Sequence, residues 1–229
     1  MNDVIVGDSL AMSFPSKAGP VAALRGATLR VGRGEVVLLE GPSGSGKTTL
    51  LSVLAGMLTP TEGSVHIEGT EITRLSRRER AHVRLERLGF IFQGFNLIAA
   101  LTARENIDLV LQARRLDAPA RRRAIAEMLA QLDIADKGGR FPAQLSGGEQ
   151  QRFAIARALV GKPALILADE PTSSLDQENG AAVTGLLCAL ARERQAGVLI
   201  ASHDQRIKPF VDRVVRLMDG RCGIDGAVA

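Results

Sequence analysis

The sequence has 229 residues, a formal net charge of +4, 45% hydrophobic residues and 24% charged residues. This is the composition of a globular chain that can bury a sizeable core, and no basic block is long enough to indicate a nucleic-acid partner. There is no signal-peptide pattern and no apolar run of the roughly 18 residues that a membrane span needs, so we expect a chain that is soluble in itself.

Two small groups of residues add weaker constraints. Cys188 and Cys222 lack the spacing of metal ligands and favour a reducing compartment. Cys188 lies in an apolar helical run, so we expect it in the core. Short arginine clusters at 77–80 and 121–123 favour solvated helix faces, and contact with anionic lipid headgroups or a membrane partner is the alternative.

The first half of the chain reads mainly as strands separated by turn residues. The predicted strands are 4–6, 27–31, 35–39 and 63–67. Residues 49–55 have a helical pattern. The capping box Ser76-Arg77-Arg78-Glu79 predicts a helix to about Leu88, after which residues 90–92 return to extended structure.

The second half begins with a helical stretch from Thr102 to about Asp133, opened by a second capping box at Thr102 and broken at Asp117. Continuous apolar runs then predict buried parallel strands at 164–168 and 198–201, with a helix at about 178–194 between them. Asp219-Gly220 predicts a hairpin turn. We therefore predict a single α/β domain over 1–229, with a mainly parallel sheet, an antiparallel N-terminal β part and an inserted α-helical subdomain. The core covers about 1–92 and 163–229, and the helical subdomain about 93–162.

The most specific motif is the segment Gly41-Pro42-Ser43-Gly44-Ser45-Gly46-Lys47-Thr48, which fits G-x-x-x-x-G-K-[ST]. It lies between a predicted strand and a predicted helix, the context that a phosphate-binding loop requires. Its glycines let backbone N–H groups point at the phosphates, and the helix N-terminus adds partial positive charge. Lys47 can reach the β- and γ-phosphates, and the Thr48 hydroxyl can ligate Mg²⁺. The chain is therefore expected to bind a nucleoside triphosphate.

Two further segments fit the same chemistry. The strand 165–168 ends in Asp169 and Glu170, where a carboxylate can hold Mg²⁺ and a second can act as general base on a water molecule. Ser146-Gly147-Gly148 precedes a helical run and forms a second phosphate-sized site at a helix N-terminus. Two such sites for one nucleotide are hard to explain unless the second serves the nucleotide of another subunit.

Together with these segments, three shorter motifs resemble those of the ATPase subunits of ABC transporters. Leu145 to Gln150 matches the signature motif, Gly41 to Thr48 matches Walker A, and Leu165 to Asp169 matches Walker B, with the family's glutamate at Glu170. Gln93 matches the Q-loop, Ser174-Leu175-Asp176 the D-loop and His203 the switch histidine, all in the family's order. Phe92 to Leu97 and Leu101 to Asn106 look like the lipoprotein-release, macrolide-efflux and glycolipid-export group.

The resemblance implies a role for each matched residue. Glu170, His203 and Gln93 form the catalytic set, and Thr48, Gln93 and Asp169 the metal set. Ser146, Gly147 and Gly148 contact the γ-phosphate held by the opposite subunit, and Asp176 crosses the dimer interface. The nucleotide-binding set is Phe14, Gly41, Pro42, Ser43, Gly44, Ser45, Gly46, Lys47, Thr48, Thr49, Ser146, Gly147, Gly148 and Asp176. Phe14 looks like the adenine-stacking aromatic residue, with apolar packing in the core as the alternative.

The function implied is that of an ATP- and Mg²⁺-dependent ATPase that dimerises head to tail on ATP and drives separate membrane permease subunits. The system is expected to be an exporter or a lipid- or lipoprotein-extruding machine, with this chain peripheral on the cytoplasmic face of the inner membrane. The region 93–97 is expected to border the groove that receives the permease, unless Phe95 and Leu97 are only core residues. The alternatives are a soluble ABC-type ATPase of DNA repair or translation, and a module that binds ATP without turnover.

Overall fold

The computed structural model describes residues 3–17, 19–175 and 177–227. These residues form ten β-strands and six α-helices. The strands are β1 Asp3–Phe14, β2 Val21–Gly32, β3 Val36–Glu40, β4 Glu62–Ile67, β5 Thr70–Glu71, β6 Leu88–Ile91, β7 Leu165–Asp169, β8 Gly197–Ala201, β9 Arg213–Met218 and β10 Arg221–Ala227. The helices are α1 Lys47–Leu54, α2 Arg77–Arg87, α3 Ala103–Ala113, α4 Ala118–Gln131, α5 Gly147–Leu159 and α6 Gln177–Glu193.

The central sheet has six strands in the order β10-β9-β3-β8-β7-β6. Its strands β9, β3, β8, β7 and β6 run parallel, and β10 pairs antiparallel with β9 through the turn at Asp219 and Gly220. Both turn residues have positive φ, 48° and 75°, as a tight two-residue hairpin requires. The mainly parallel sheet and the late hairpin are as predicted.

Both faces of this sheet are covered. In β3, Val36 and Leu38 belong to one buried cluster, whereas Val37 and Leu39 belong to a second. The strands β7 and β8 alternate in the same way, so their continuous apolar sequences supply two cores at once. Helices α3 to α6 contribute to the first cluster, while α1 and the N-terminal strands contribute to the second.

The antiparallel N-terminal part forms a separate four-stranded sheet in the order β2-β1-β4-β5. The strands β1 and β2 have 12 residues each and are much longer than the short apolar runs that predict them. Register shifts interrupt their pairing, and Ser9 has a φ of 50°. Each irregularity changes which side chains face the core, so no simple alternation of period two runs through the sequence.

The helical insertion lies between β6 and β7. Capping boxes open α3 at Thr102 and α5 at Ser146 in this insertion, and another opens α2 at Ser76 before β6. Asp117 caps α4. The capping boxes at Ser76 and Thr102 and the break at Asp117 are as predicted, whereas the capping box at Ser146 was not predicted. The division into core and helical subdomain stays a prediction, because α3, α4 and α5 share one buried cluster with the central sheet. Among the described residues, no helix has the length and apolarity required to traverse a lipid bilayer.

Candidate active site

Four neighbouring strands of the central sheet deliver the predicted functional segments to one edge. The phosphate-binding loop follows β3, His203 follows β8, Glu170 follows β7 and Gln93 follows β6. Because these strands are parallel and adjacent, their carboxyl ends open on the same cleft, which is where ligands bind in open α/β sheets. The cleft has a volume of about 590 Å³ and is lined by Phe14, Ala23, Ser43, Gly44, Gly46, Lys47, Thr48, Thr49, Gln93, Asp169, Glu170 and His203.

The loop before α1 has a backbone that only glycine can supply. Gly46 has a φ of 104°, and a Cβ atom there would lie 2.5 Å from the carbonyl oxygen of Ala23. The Lys47 side chain is buried and turns back over the loop, where Nζ donates to the carbonyl oxygens of Gly41 at 2.7 Å and Pro42 at 3.1 Å. The ammonium group is thus already positioned above the loop whose N–H groups face a phosphate.

Three residues of the predicted loop do not line the cleft: Gly41, Pro42 and Ser45. Gly41 lies against β9, where a Cβ atom would come within 2.3 Å of the carbonyl oxygen of Leu217. The central sheet therefore leaves no space for a side chain at Gly41. Ser45 is buried, with its N–H donating to Pro42 O at 3.2 Å and its own carbonyl accepting from Gly220 N at 3.2 Å. These contacts hold the loop against the β9–β10 hairpin.

Asp169 has the surroundings of a cation ligand. It is 7% exposed, and burial raises the pKa of its carboxyl, although the Thr48 hydroxyl acts in the opposite direction. Its Oδ1 atom is buried without a hydrogen-bond partner among the described residues. A buried oxygen of this kind is costly unless a hydrogen bond or a cation compensates it. The pair Thr48 and Asp169 therefore fits a hard divalent cation, which prefers oxygen ligands.

Glu170 is held in a strained backbone conformation by its neighbours. Its φ is 45°, a left-handed value that costs a non-glycine residue of the order of 1–3 kcal/mol. Glu170 N donates to Ala201 O at 2.8 Å, and Ser173 Oγ donates to Glu170 O at 3.0 Å. Such strain is found where a side chain must be aimed, and here the carboxylate faces the cleft.

Both carboxylate oxygens of Glu170 have partners on the loop after β8. Oε2 accepts from Ser202 Oγ at 3.0 Å, and Oε1 lies 2.9 Å from Nδ1 of His203. The carboxylate is 13% exposed and the imidazole 75% exposed. His203 thus reaches solvent at the mouth of the cleft while one of its nitrogens orients Glu170.

The loop that carries His203 is fixed from behind by Asp204. Its carboxylate accepts from Arg206 Nε at 2.8 Å and Nη2 at 2.6 Å, and from Thr172 Oγ1 at 3.1 Å. The Arg206 hydrogen bond holds the pKa of Asp204 below its usual value. This network ties the segment after β8 to the segment after β7, so Glu170 and His203 are held by one set of contacts.

Phe14 stands at the end of β1 and is 37% exposed, with its side chain on the cleft. The alternative that it is a core residue is not supported, because core side chains here are almost fully buried. Leu97, in contrast, packs against the buried cluster of the helical segment, and Phe95 is half-buried. For Leu97 the structure favours a packing role.

The signature segment lies outside the cleft of its own chain. Ser146 is exposed and caps α5, its Oγ accepting from Glu149 N at 3.3 Å while Glu149 Oε2 accepts from Ser146 N at 2.8 Å. Neither Ser146 nor Gly147 nor Gly148 lines the cleft. The N–H groups at the start of α5 are therefore not part of the cleft of their own chain. Asp176 lies outside the described residues.

Several supporting residues were missed from the sequence. Ser202 stands beside His203, and this adjacency was the only signal for it. No sequence signal pointed to Arg157 or Glu40, because their partners are distant in the chain. Arg157 Nη2 donates to Phe95 O at 2.7 Å, and Gln205 donates to Glu40.

Comparison with known proteins identifies the family. The family model described as ABC transporter matches residues 24–173. The chain belongs to the ABC transporter family. It is 42% identical over 222 residues to the lipoprotein-releasing system ATP-binding protein LolD of Cereibacter sphaeroides, covering 96% of this chain and 99% of that protein. It is also 42% identical over 212 residues to the macrolide export ATP-binding/permease protein MacB 1/2 of Paracoccus denitrificans, covering 93% of this chain but 32% of that protein.

The same family is found among solved structures. The dimeric structure of MJ0796, described as a bacterial ABC transporter cassette, superposes with a TM-score of 0.91 at 35% identity, covering 98% of this chain and 99% of the other. A post-hydrolysis dimer of that cassette bound to ADP and Pi superposes with a TM-score of 0.89. The present chain is therefore an ABC cassette, an ATP-binding and ATP-hydrolysing subunit with the P-loop fold.

Proposed function

We propose that this cassette powers an exporter or a lipoprotein-extruding system, working as a head-to-tail dimer with Mg²⁺ and separate membrane permease subunits. The observation that carries the proposal is the single cleft in which the phosphate-binding loop meets Asp169, Glu170, His203 and Gln93. The export class is supported by the names of the LolD and MacB relatives. The reaction is ATP + H₂O → ADP + phosphate.

Binding of the triphosphate rests on the loop before α1. The backbone N–H groups of 43–48 and the N-terminus of α1 face the phosphates, and Lys47 exchanges the carbonyl oxygens of Gly41 and Pro42 for phosphate oxygens. Phe14 stacks on the adenine through its exposed face. Thr48 and Asp169 would hold Mg²⁺, which would neutralise charge on the phosphates.

Hydrolysis rests on Glu170. Its carboxylate accepts the proton of the attacking water, and the Ser202 and His203 contacts keep both of its oxygens in place. Gln93, which follows the neighbouring strand β6 and lines the same cleft, orients the water. Phosphoryl transfer depends mainly on such positioning and on charge stabilisation, so the strained backbone at Glu170 fits the task.

The signature segment acts on the nucleotide of a second chain. Ser146, Gly147 and Gly148 are exposed or half-buried at the start of α5 and do not reach their own cleft. A twofold dimer can bring this helix N-terminus to the γ-phosphate in the partner's cleft, because an isologous interface creates both shared sites at once.

The membrane partner is proposed to bind an apolar groove near the Gln93 loop. The groove has a volume of about 260 Å³, and its walls include Met57, Leu85, Phe90 and Val110. Met57 is 42% exposed at this groove, so its apolar side chain is available to a partner. A permease in this groove places the cassette at the cytoplasmic face of the inner membrane as a peripheral subunit.

The test of the proposed chemistry is Glu170→Gln. The amide keeps the size of the side chain but cannot accept the proton, so turnover should fall by about 100-fold or more while ATP binding is retained. Sizing chromatography with ATP and Mg²⁺ should then show an accumulated dimer. Glu62→Gln, at an exposed glutamate that does not line the cleft, is the matched control. Hydrolysis near the wild-type rate in Glu170→Gln would contradict the assignment.

A further inference from the structure

The loop that carries Gln93 has a backbone that its own sequence does not favour. Phe95 and Asn96 have φ values of 59° and 49°, so two consecutive non-glycine residues lie in the left-handed region. For a bulky residue such as Phe95 this conformation is unusual, and the surrounding structure must hold it. Within the loop, only Phe95 N to Phe92 O at 3.2 Å and Asn96 N to Gly94 O at 2.6 Å act locally.

The carbonyl oxygens of these two residues are held by Arg157 of α5. Its Nη2 donates to Phe95 O at 2.7 Å, and its Nη1 donates to Asn96 O. The guanidinium gives each carbonyl its own donor nitrogen in one rigid plane, whereas a lysine at this position would have to serve both carbonyls from a single nitrogen on a differently shaped side chain. The side chain therefore bonds to both unusual residues at once.

Arg157 also lines the apolar groove proposed above for the permease, but the hydrogen bonds of its guanidinium go to the Gln93 loop. Burial lowers the pKa of its guanidinium. No carboxylate of the described residues forms a salt bridge with Arg157, whose guanidinium donates to the two loop carbonyls. A half-buried cation without an acidic partner depends on hydrogen bonds to offset its lost hydration, and here the two loop carbonyls supply them.

The same helix also carries the signature segment. α5 begins at Gly147, where a Cβ atom would lie 4.0 Å from Cζ of the Phe95 ring. The Gln93 loop is therefore hydrogen-bonded to α5 through Arg157, and the Phe95 ring lies near the N-terminus of the same helix. A shift of α5 would move the loop with it.

We infer that Arg157 is a positioning residue for ATP hydrolysis. By fixing residues 95 and 96, it sets the place of Gln93 at the cleft and couples that place to the helix of the signature segment. The inference rests on the proposed role of Gln93, which is tested separately below. Arg157 itself does not line the cleft and touches no reacting atom.

A second arginine provides a matched control. Arg114 follows the last residue of α3. It donates to Leu85 O at 2.9 Å and also to the carbonyls of Glu86 and Gly161. Its guanidinium, like that of Arg157, donates to backbone carbonyls, but these three hydrogen bonds do not reach residues 93–97. General loss of packing should therefore appear in both arginine variants, whereas loss of Gln93 positioning should appear in one.

The experiment compares Arg157→Lys and Arg114→Lys in the full chain. In Arg157→Lys, kcat should fall by about tenfold or more, because small displacements of a positioning group have large effects on rate. The KM for ATP should change by no more than about twofold, since the phosphate-binding loop is untouched. Arg114→Lys should keep kcat near the wild-type value, even if its melting temperature falls as much as that of Arg157→Lys. Hydrogen exchange of the 92–98 segment should accelerate only in Arg157→Lys. If Arg157→Lys does not fold, Arg157→Gln replaces it, since its amide can still donate to one carbonyl.

A double-mutant cycle with Gln93→Ala decides whether Arg157 acts through Gln93. If it does, adding Arg157→Lys to Gln93→Ala should lower kcat little further, because the positioned group is already absent. Fully additive losses, or equal losses of kcat in Arg157→Lys and Arg114→Lys, would overturn the inference while leaving the role of Gln93 intact. If Gln93→Ala alone keeps wild-type turnover, the proposed role of Gln93 fails and the inference with it.

Discussion

Asp169 and Glu170 are adjacent in the sequence but lie in different surroundings. Asp169 is buried, has an unpartnered oxygen and has a carboxyl pKa raised by burial, as an oxygen ligand awaiting a cation would. Glu170 reaches the cleft with both oxygens directed by Ser202 and His203. The division of labour between metal ligand and general base thus follows from the backbone turn at Glu170, which aims the two side chains differently.

The exposed face of Phe14 leads to a prediction about adenine. Phe14→Ala should weaken ATP binding by about tenfold, since stacking of a base on an aromatic ring is worth about 1–3 kcal/mol. Phe14→Tyr should bind ATP as well as the wild type. Because Phe14 is 37% exposed, its truncation should lower the free energy of unfolding by less than about 1 kcal/mol. Melting and ATP titration on the same sample check both; a large loss of stability with unchanged ATP affinity would show a core role instead.

Among the elements, the end of β3 is tied to the segment that follows His203. Glu40, immediately before the phosphate-binding loop, accepts from Gln205, and Lys208 Nζ and Arg216 Nε lie 3.4 and 3.7 Å from its carboxylate oxygens. Burial by itself raises the pKa of Glu40, but the Gln205 hydrogen bond and the two cations outweigh it, so the pKa lies below its usual value. The ionised carboxylate is therefore part of the folded contact.

This contact predicts a pH-dependent effect of Glu40→Gln. Because the folded pKa of Glu40 is lowered, its contribution is present above the unfolded value of 4.5 and is lost as pH falls through the lower folded value. At pH 7 the variant should have a free energy of unfolding lower by about 1 kcal/mol. Denaturant unfolding from pH 7 down to pH 3 measures the difference, which should shrink in the acid range. A difference independent of pH would contradict the role of the charge.

Elements whose signals are local could be predicted from the sequence. The phosphate-binding loop, the caps at Ser76 and Thr102 and the apolar strands β7 and β8 each depend on residues within a few positions, and the structure confirms them. The length of β1 could not be predicted, because the irregularity at Ser9 depends on pairing with β2 and β4. Arg157 and Glu40 were also out of reach, since their partners are separated from them by more than 60 positions in the chain.

On the scale of the whole molecule, one part of the proposed site is the cleft of the chain, and the other part is the signature segment on its surface. The cleft collects the ends of four neighbouring strands, whereas Ser146 stands exposed at the start of α5. The 35% identical cassette with the TM-score of 0.91 was solved as a dimer. A twofold arrangement of this chain would place each α5 N-terminus at the partner's cleft, so that hydrolysis and association depend on the same nucleotide.

The most direct test of this shared site is a disulfide between two chains. Ser43 lines the cleft and Ser146 is exposed, so Ser43→Cys and Ser146→Cys are combined in a chain whose native cysteines are replaced by alanine. Although burial raises the pKa of Cys188 to about 12 and that of Cys222 to about 11, their replacement removes any competing disulfide. Each single-cysteine variant alone serves as the control.

With ATP and a mild oxidant, the double variant should form a covalent dimer that disappears on reduction. Little dimer should form without nucleotide, since the two chains are then dissociated and the introduced cysteines do not meet. Crosslinking confined within one chain, or equal dimer yields with and without ATP, would contradict the shared site.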